Sequence, residues 1–391
     1  MTVWDELTGQ SEAIAIFRAA AADSTLGDSP IGDSAMTHSW LITGPPGSGR
    51  SNLAYAFATA LLSPAATGGT GNPDGDEATR RQVAARTHPD LAVLSTEGVI
   101  IKMDDVRRLV SSSNFSPSVS RYRVMVIEDA DRMQERTSNV LLKALEEPPP
   151  RTVWILCAPS EADLLPTIRS RVRTVRLRVP NVAEVAELIA LRDGVDIATA
   201  TRAARESQSH IGMAHRLATN EDARRRRQQT IEIALGIHTV SGAVIAAAKL
   251  LELAGEDARA ITEERDAEER ERALRSLGIE PGGTIPPALR AQLRTLEDDQ
   301  KRRATRSLRD GIDRIMVDLL SLYRDILLLQ LDARTEPINL AIVSQLTSAS
   351  AASTAAETLA TMDAIATART RIDGNVAPAL ALEAMLISTA R

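Results

Sequence analysis

The spacing of apolar and polar positions divides the chain into parts with different periods. Between Trp40 and Leu177, short apolar runs alternate with stretches of helical spacing: Ser39–Thr43 (SWLIT), Asp90–Ser95 (DLAVLS), Arg123–Glu128 (RVMVIE), Thr152–Ala158 (TVWILCA) and Thr174–Arg178 (TVRLR). Continuous apolar runs separated by helices predict βαβ units around a parallel sheet buried on both faces. After Pro180 the pattern predicts two or three short helices ending near Leu217, a small lid. Further on, Leu308, Ile312, Ile315, Met316, Leu319, Leu320, Tyr323, Ile326 and Leu327 recur at three- and four-residue steps. That spacing predicts a long helix with one broad apolar face, against which a terminal helix over Asn375–Ser388 can pack. The expected organisation is therefore an α/β domain over 1–179, a helical lid over 180–222 and an all-α C-terminal domain over 223–391.

Two stretches break the pattern. Ser63–Thr79, rich in Gly, Ala, Pro and Asp, offers little apolar area and predicts a mobile loop. Glu256–Gly278 is too charged for a wide buried face and predicts a solvated or partly disordered helix, before a Gly/Pro break at Glu280–Pro287.

Composition narrows the class. Aromatic residues make up 2% of the 391, so the cores must be built from Leu, Ile, Val and abundant Ala, which suits close helix packing. A net charge of −6 argues against a surface that binds nucleic acid throughout, so any such contact is local. The single cysteine, Cys157, lies in an apolar run and predicts a small buried thiol. The N-terminus lacks a basic-then-apolar signal pattern, and no run approaches a membrane span, so the expectation is a soluble cytoplasmic protein without membrane contact.

Two motifs carry chemistry. Leu41–Ala54 (LITGPPGSGRSNLA) has the frame of a phosphate-binding loop, G-x-x-x-x-G-K-[ST], with Arg50 where the lysine belongs. Gly44, Gly47, Ser48, Gly49, Arg50, Ser51 and Asn52 are the candidate nucleotide contacts. Such a loop points backbone N–H groups at phosphate oxygens, and the following helix N-terminus adds partial positive charge. Arginine is a planar fork rather than a point charge, so the substitution changes what reaches the phosphates. The second motif is Glu128-Asp129 at the carboxyl end of an apolar strand, where an acidic pair can hold Mg²⁺ and polarise a water. The order is the reverse of the usual Asp-Glu. Read alone, the pair is equally a set of solvated acids at a strand end, and the loop a plain Gly-rich turn.

A longer match follows. Asn139–Pro149 (NVLLKALEEPP), a strand, and then Ser170-Arg171 resemble the signature of the bacterial clamp-loader AAA+ family, N-x-L-L-K-x-L-E-E-P-P followed by S-R-C. Val172 replaces the cysteine. Val3–Gln10 (VWDELTGQ) and Thr87–Leu91 (THPDL) are similar to two further segments of that family, and the likeness covers about the first 220 residues. Gln300–Leu327 looks like the start of its oligomerisation helices.

The resemblance implies a P-loop AAA+ domain, a lid and a helical collar within a clamp loader of DNA polymerase III, which places a sliding clamp on primed DNA. It implies ATP or ADP with Mg²⁺ as ligands, and as partners the other loader subunits (gamma/tau and delta), the clamp and, through the complex, primer-template DNA. Family members commonly carry four zinc-binding cysteines between the two nucleotide motifs; none stands there in this chain, so no zinc is expected. Alignment of Ser207–Ala218 (SQSHIGMAHRLA) places Gly212 where the family's catalytic subunits have a lid arginine. With Arg50, the reversed acids and Gly212, the resemblance implies a stator-type subunit that holds nucleotide and hydrolyses little of it. Arg171 is then a catalytic arginine presented in trans to a neighbour's nucleotide, while Arg169, Arg173, Arg176 and Arg178 solvate the strand or pair with acids. An active motor ATPase is the alternative; a P-loop kinase would need an acceptor pocket for which the sequence offers no residues.

Overall fold

The computed structural model describes residues 2–5, 7–22, 35–64, 72–96, 98–276 and 290–389. The chain forms two compact units, 1–218 and 219–391.

Unit one is built on five parallel strands: β1 (Ser39–Thr43), β2 (Leu91–Leu94), β3 (Arg123–Ile127), β4 (Thr152–Ala158) and β5 (Arg173–Arg176), in the order β2-β3-β4-β1-β5. Its α/β helices are α1 (Ser11–Ala22), α2 (Arg50–Leu62), α3 (Glu77–Ala84), α4 (Met103–Ser113), α5 (Glu135–Glu146) and the short α6 (Pro166–Arg169). Strand alternation sorts the side chains. Trp40, Ile42, Val124, Val126, Val153 and Ile155 enter one core with α1, α2 and Val83 of α3, where Phe17, Trp40 and Phe57 meet with ring centroids 4.5–5.5 Å apart. Leu41, Met125, Ile127, Trp154 and Leu156 enter the other, with α4, α5 and α6. Both faces are covered, and β1 and β4 are buried at every position. The architecture is a five-stranded parallel α/β sheet covered by helices on both faces.

Three short helices follow in the same unit, α7 (Val182–Asp193), α8 (Ile197–Glu206) and α9 (Ile211–Thr219). Asn181 and Glu184 form a reciprocal capping box at the start of α7, and Asp196 caps α8. His215 of α9 contacts Asp193 of α7 across 2.7 Å.

Unit two is helical: α10 (Glu221–Leu235), α11 (Val240–Ser276), α12 (Arg290–Gln330), α13 (Val343–Ala351), α14 (Ala355–Asp373) and α15 (Pro378–Thr389). The apolar face from Ile312 to Ile326 packs with Leu250, Ile365, Leu382 and Met385. α11 and α12 are antiparallel, since Arg270 bonds Glu297 (3.0 Å), Arg303 bonds Glu269 (3.0 Å) and Gly311 lies on Ala254. A side-chain carbon on Gly311 would sit 3.1 Å from the Ala254 carbonyl, so glycine sets how closely the helices approach. Beneath them, buried Arg227 donates to Asp318 (3.1 Å) and to Asn339 (2.6 Å), and Asn339 in turn donates to Asp325 (2.8 Å).

Two expectations are corrected. The charged stretch from Glu256 is ordered helix through Ser276, and its acids are not merely solvated: Asp266 and Glu269 close on Arg303, which is 9% exposed. Complementary charge on α12 supplies what an apolar face would otherwise supply, and a single window of sequence does not reveal it. Of the Ser63–Thr79 segment, residues 65–71 lie outside the described residues, and the rest is not a loop throughout, since α3 begins at Glu77. Asp76 caps α3 through Ala78 and Thr79, Trp4 donates to the Pro73 carbonyl (2.7 Å), and Arg18 pairs with Asp74. Hydrogen bonds to the N-terminal segment replace the apolar burial this stretch lacks. The Gly/Pro break at 280–287 lies outside the described residues.

Candidate nucleotide site and arginine edge

The phosphate loop leaves the carboxyl end of β1 and opens α2, the placement in which open α/β sheets bind ligands. Gly47 and Gly49 take φ values of +78° and +90°, which other residues adopt only at a cost. Gly49 is the N-cap of α2 and provides no side-chain cap bond, so the helix's first N–H groups are left for an anion. Ser48 Oγ is buried with no hydrogen-bond partner among the described residues. These features fit a nucleotide's phosphates. Ser51 and Asn52 lie in the first turn of α2.

The charged groups fit less well. Arg50 turns back, its guanidinium donating to the Gly44 carbonyl of the same loop. Glu128 follows β3 in register with Val124 and Val126, the face that α2 covers, and so meets Tyr55 of α2, whose hydroxyl donates to Oε1 at 2.5 Å. Arg86 donates to the same carboxylate at 3.1 and 3.2 Å, and its guanidinium lies 5.8 Å from the Tyr55 ring centre. Burial, with the Glu128 contact added, raises the Tyr55 phenol well above its usual pKa, so it stays a donor. Asp129 lies 3.9 Å from Arg132. Burial, reinforced by Asp129, raises the Asp131 carboxyl above its ordinary value, with Arg132 and Arg50 opposing. Cys157 is buried and its thiol is pushed up to about 12, chiefly by burial; Arg50 pulls against the rise, and Glu128 and Asp129 add to it. Arg50, Glu128 and Asp129 thus act on one region. A magnesium ion would be held there by Glu128 or Asp129, with the phosphates on the loop, but Glu128 already carries an arginine. Among the described residues no group of three His, Cys, Asp or Glu could hold a metal by itself.

Arg171 stands elsewhere, between α6 and the edge strand β5. Its Nε donates to Glu146 at the end of α5 (2.6 Å) and its Nη1 to the Thr167 carbonyl (2.7 Å). Arg176 pairs with Glu161 and Arg178 with Glu184, while Arg173 lies over the Trp40 ring and donates to the Ala35 carbonyl. Tyr55, Arg86 and Asp131 were not singled out from sequence, and Glu146 entered only as part of the Asn139–Pro149 signature. Only Tyr55, one helical turn beyond Ser51, carried a local signal.

The segment similar to His-Pro-Asp in other proteins acts structurally. Asp90 is buried and accepts from the backbone N–H groups of Ser118, Val119 and Ser120 (2.6–2.8 Å) and from the Ser118 hydroxyl (2.8 Å). His88 accepts from the Asp90 N–H at 3.2 Å. Together they fasten the loop between α4 and β3 to the sheet.

Residues 28–181 match the family model described as DNA polymerase III, delta subunit. The chain is 36% identical over 157 residues to the DNA polymerase III subunit delta' of Pseudomonas aeruginosa, covering 39% of this chain and 47% of that one. It is 40% identical over 98 residues to subunit delta' of Haemophilus influenzae (25% and 30%) and 32% identical over 137 residues to subunit gamma/tau of Mycobacterium bovis (35% and 23%). The chain spans less than half the length of each of these relatives. No helix among the described residues is long and apolar enough to cross a membrane. Over residues 28–181, with its parallel sheet and phosphate loop, the chain is thus similar to clamp-loader subunits of DNA polymerase III.

Proposed function

We propose that this chain is the stator subunit, of delta-prime type, in a clamp loader that places a sliding clamp on primed DNA. It holds nucleotide without hydrolysing it appreciably and presents Arg171 to the nucleotide of a neighbouring gamma/tau-type subunit. Its helical second unit, with the long α11–α12 hairpin, serves as the collar that joins it to the other subunits. The observation that carries the reading is the engagement of Glu128 by Arg86 and Tyr55. A carboxylate neutralised by a guanidinium is poorly placed to hold Mg²⁺ or polarise water, and the Arg50 guanidinium is likewise turned onto its own loop. Removing a single oxyanion-hole donor costs ~2.7–4 kcal/mol of barrier, the scale on which such electrostatic elements act.

The likeness to a gamma/tau subunit favours one alternative, an active motor ATPase in which Arg50 replaces lysine. Binding of labelled ATP and its turnover by the purified chain, beside an Arg50→Lys variant, separate the two. The stator reading expects binding with negligible turnover in both proteins. Robust turnover abolished by Glu128→Gln or Asp129→Asn would establish the motor instead.

A further inference from the structure

The lid touches the phosphate loop directly, and it does so through a residue that no motif singles out. The His210 imidazole lies on the Cα of Gly47: a side-chain carbon placed there would fall inside the contact envelope of the ring's Cγ, Cδ2 and Nδ1. Beside it, the Ile211 N–H donates to the Gly47 carbonyl at 3.4 Å. The turn that presents His210 is itself strained. Gln208 and Ser209, two consecutive non-glycine residues, take φ values of +52° and +64°. Such backbone persists only where its surroundings hold it. His210 also caps α9, its Nδ1 accepting from the Met213 N–H at 3.2 Å. Gly212, two residues on, has no side chain with which to reach a nucleotide.

We propose that His210 is a latch that holds the lid closed on the phosphate loop whether or not nucleotide is bound. In a lid that closes by gripping nucleotide, closure depends on a side chain reaching the ligand. Here ring-to-backbone contact and one backbone hydrogen bond close it with the protein's own atoms. A ligand shifts a conformational equilibrium only by its differential affinity for the two states. A lid already closed by His210 leaves nucleotide little to shift. Loop and lid then move as one block, the property a stator needs. The inference rests on the stator reading for its purpose. Its test reads lid position in the isolated chain and needs no loader activity, so either can fail alone.

The experiment uses the full chain with spin labels at Lys102→Cys, on the sheet domain, and Leu191→Cys, on α7. Both positions are exposed, and the native Cys157 is fully buried. Label-to-label distances are measured without nucleotide and with saturating Mg²⁺ and a non-hydrolysable ATP analogue. The expected result is one narrow distribution that nucleotide does not move. His210→Asn keeps a good helix cap and removes the ring. It should broaden the distribution and make it nucleotide-dependent, with helix content by circular dichroism unchanged. His210→Phe keeps a ring and removes the cap, and should retain the narrow distribution. A nucleotide-dependent shift in the unmodified chain would overturn the proposal, as would a His210→Asn lid as narrow as the original. So would a His210→Phe lid that opens as His210→Asn does, because the cap and not the ring would then hold it.

Discussion

At the phosphate loop the charges are engaged by their own chain. Arg50 is bonded to Gly44, and Glu128, with a side chain 15% exposed, is held by Tyr55 and Arg86. At the edge of the sheet, Arg171 is 32% exposed and its partner Glu146 46%. Exposed ion pairs contribute little net stability because water competes for both partners. Arg171 can therefore exchange Glu146 for another anion at small cost, whereas freeing Glu128 means releasing it from both the half-buried Tyr55 hydroxyl and Arg86. One fold thus carries a nucleotide site whose charges are internally satisfied and an arginine whose partner is replaceable. On the proposed reading, the chemistry offered to a partner lies at the edge rather than at the loop.

The most severe break in this comparison is Arg171→Ala. If Arg171 serves a neighbouring site, hydrolysis there should fall ~10³-fold or more in the reconstituted loader. Because other sites retain their own arginines, total ATPase should fall less than clamp loading. The isolated chain should melt within about 1 kcal/mol of the original, as loss of an exposed pair requires. Arg173→Ala removes a cation held over Trp40 and tests charge without position. Equal effects from both variants, or unchanged clamp loading by Arg171→Ala, would remove the trans role.

A smaller effect, on stability alone, is expected at Asp90. Burial pushes its pKa up, but the N–H groups of Ser118, Val119 and Ser120 and the Ser118 hydroxyl together outweigh that, and the net shift is downward from 3.8. A depressed folded-state value means the carboxylate's contribution is present above the unfolded pKa and is lost as pH falls through the folded one. Buried His88 acts in the same direction, since burial lowers its pKa below 6.5 and acid must charge it. Asp90→Asn should cost about 1.5–3 kcal/mol at neutral pH, the scale of hydrogen bonds to a charged group. It should also flatten the loss of stability on acidification. Urea melts across the acid range check both. A variant as stable as the original would mean that the loop before β3 holds itself.

What the sequence made legible follows from locality. β1, β3 and β4 were readable because strands buried on both faces are continuous apolar runs, and the ends of all five strands moved by two residues at most. The phosphate loop and the acid pair were readable because their spacing is local and fixed by backbone geometry. The roles of Arg86, Glu146 and His210 were not, since each reaches its partner only after distant segments fold together. α13 and α14 went unread because Ala, Ser and Thr give them little periodic contrast. The length of α12 was underestimated for a related reason: its first turns carry charges that match α11, and apolar periodicity begins only near Leu308.

The smallest change is expected at the loop itself. Arg86→Gln removes the guanidinium from Glu128 and leaves the Tyr55 hydrogen bond in place. Arg86 is 47% exposed on its side chain, so its attraction for Glu128 is screened by water, and its removal changes the local energy by about 1 kcal/mol or less. The freed carboxylate gains affinity for a cation rather than for the phosphates. Nucleotide binding should therefore tighten by less than about fivefold, and only when Mg²⁺ is present. Turnover should stay negligible, since Arg50 remains on Gly44 and Gly212 still offers no side chain. Calorimetric titration with and without Mg²⁺ measures the difference. Equal tightening in both conditions would mean that Arg86 acts on the phosphates through general charge. A gain of turnover would mean that this one arginine, rather than the arrangement of the whole site, holds back hydrolysis.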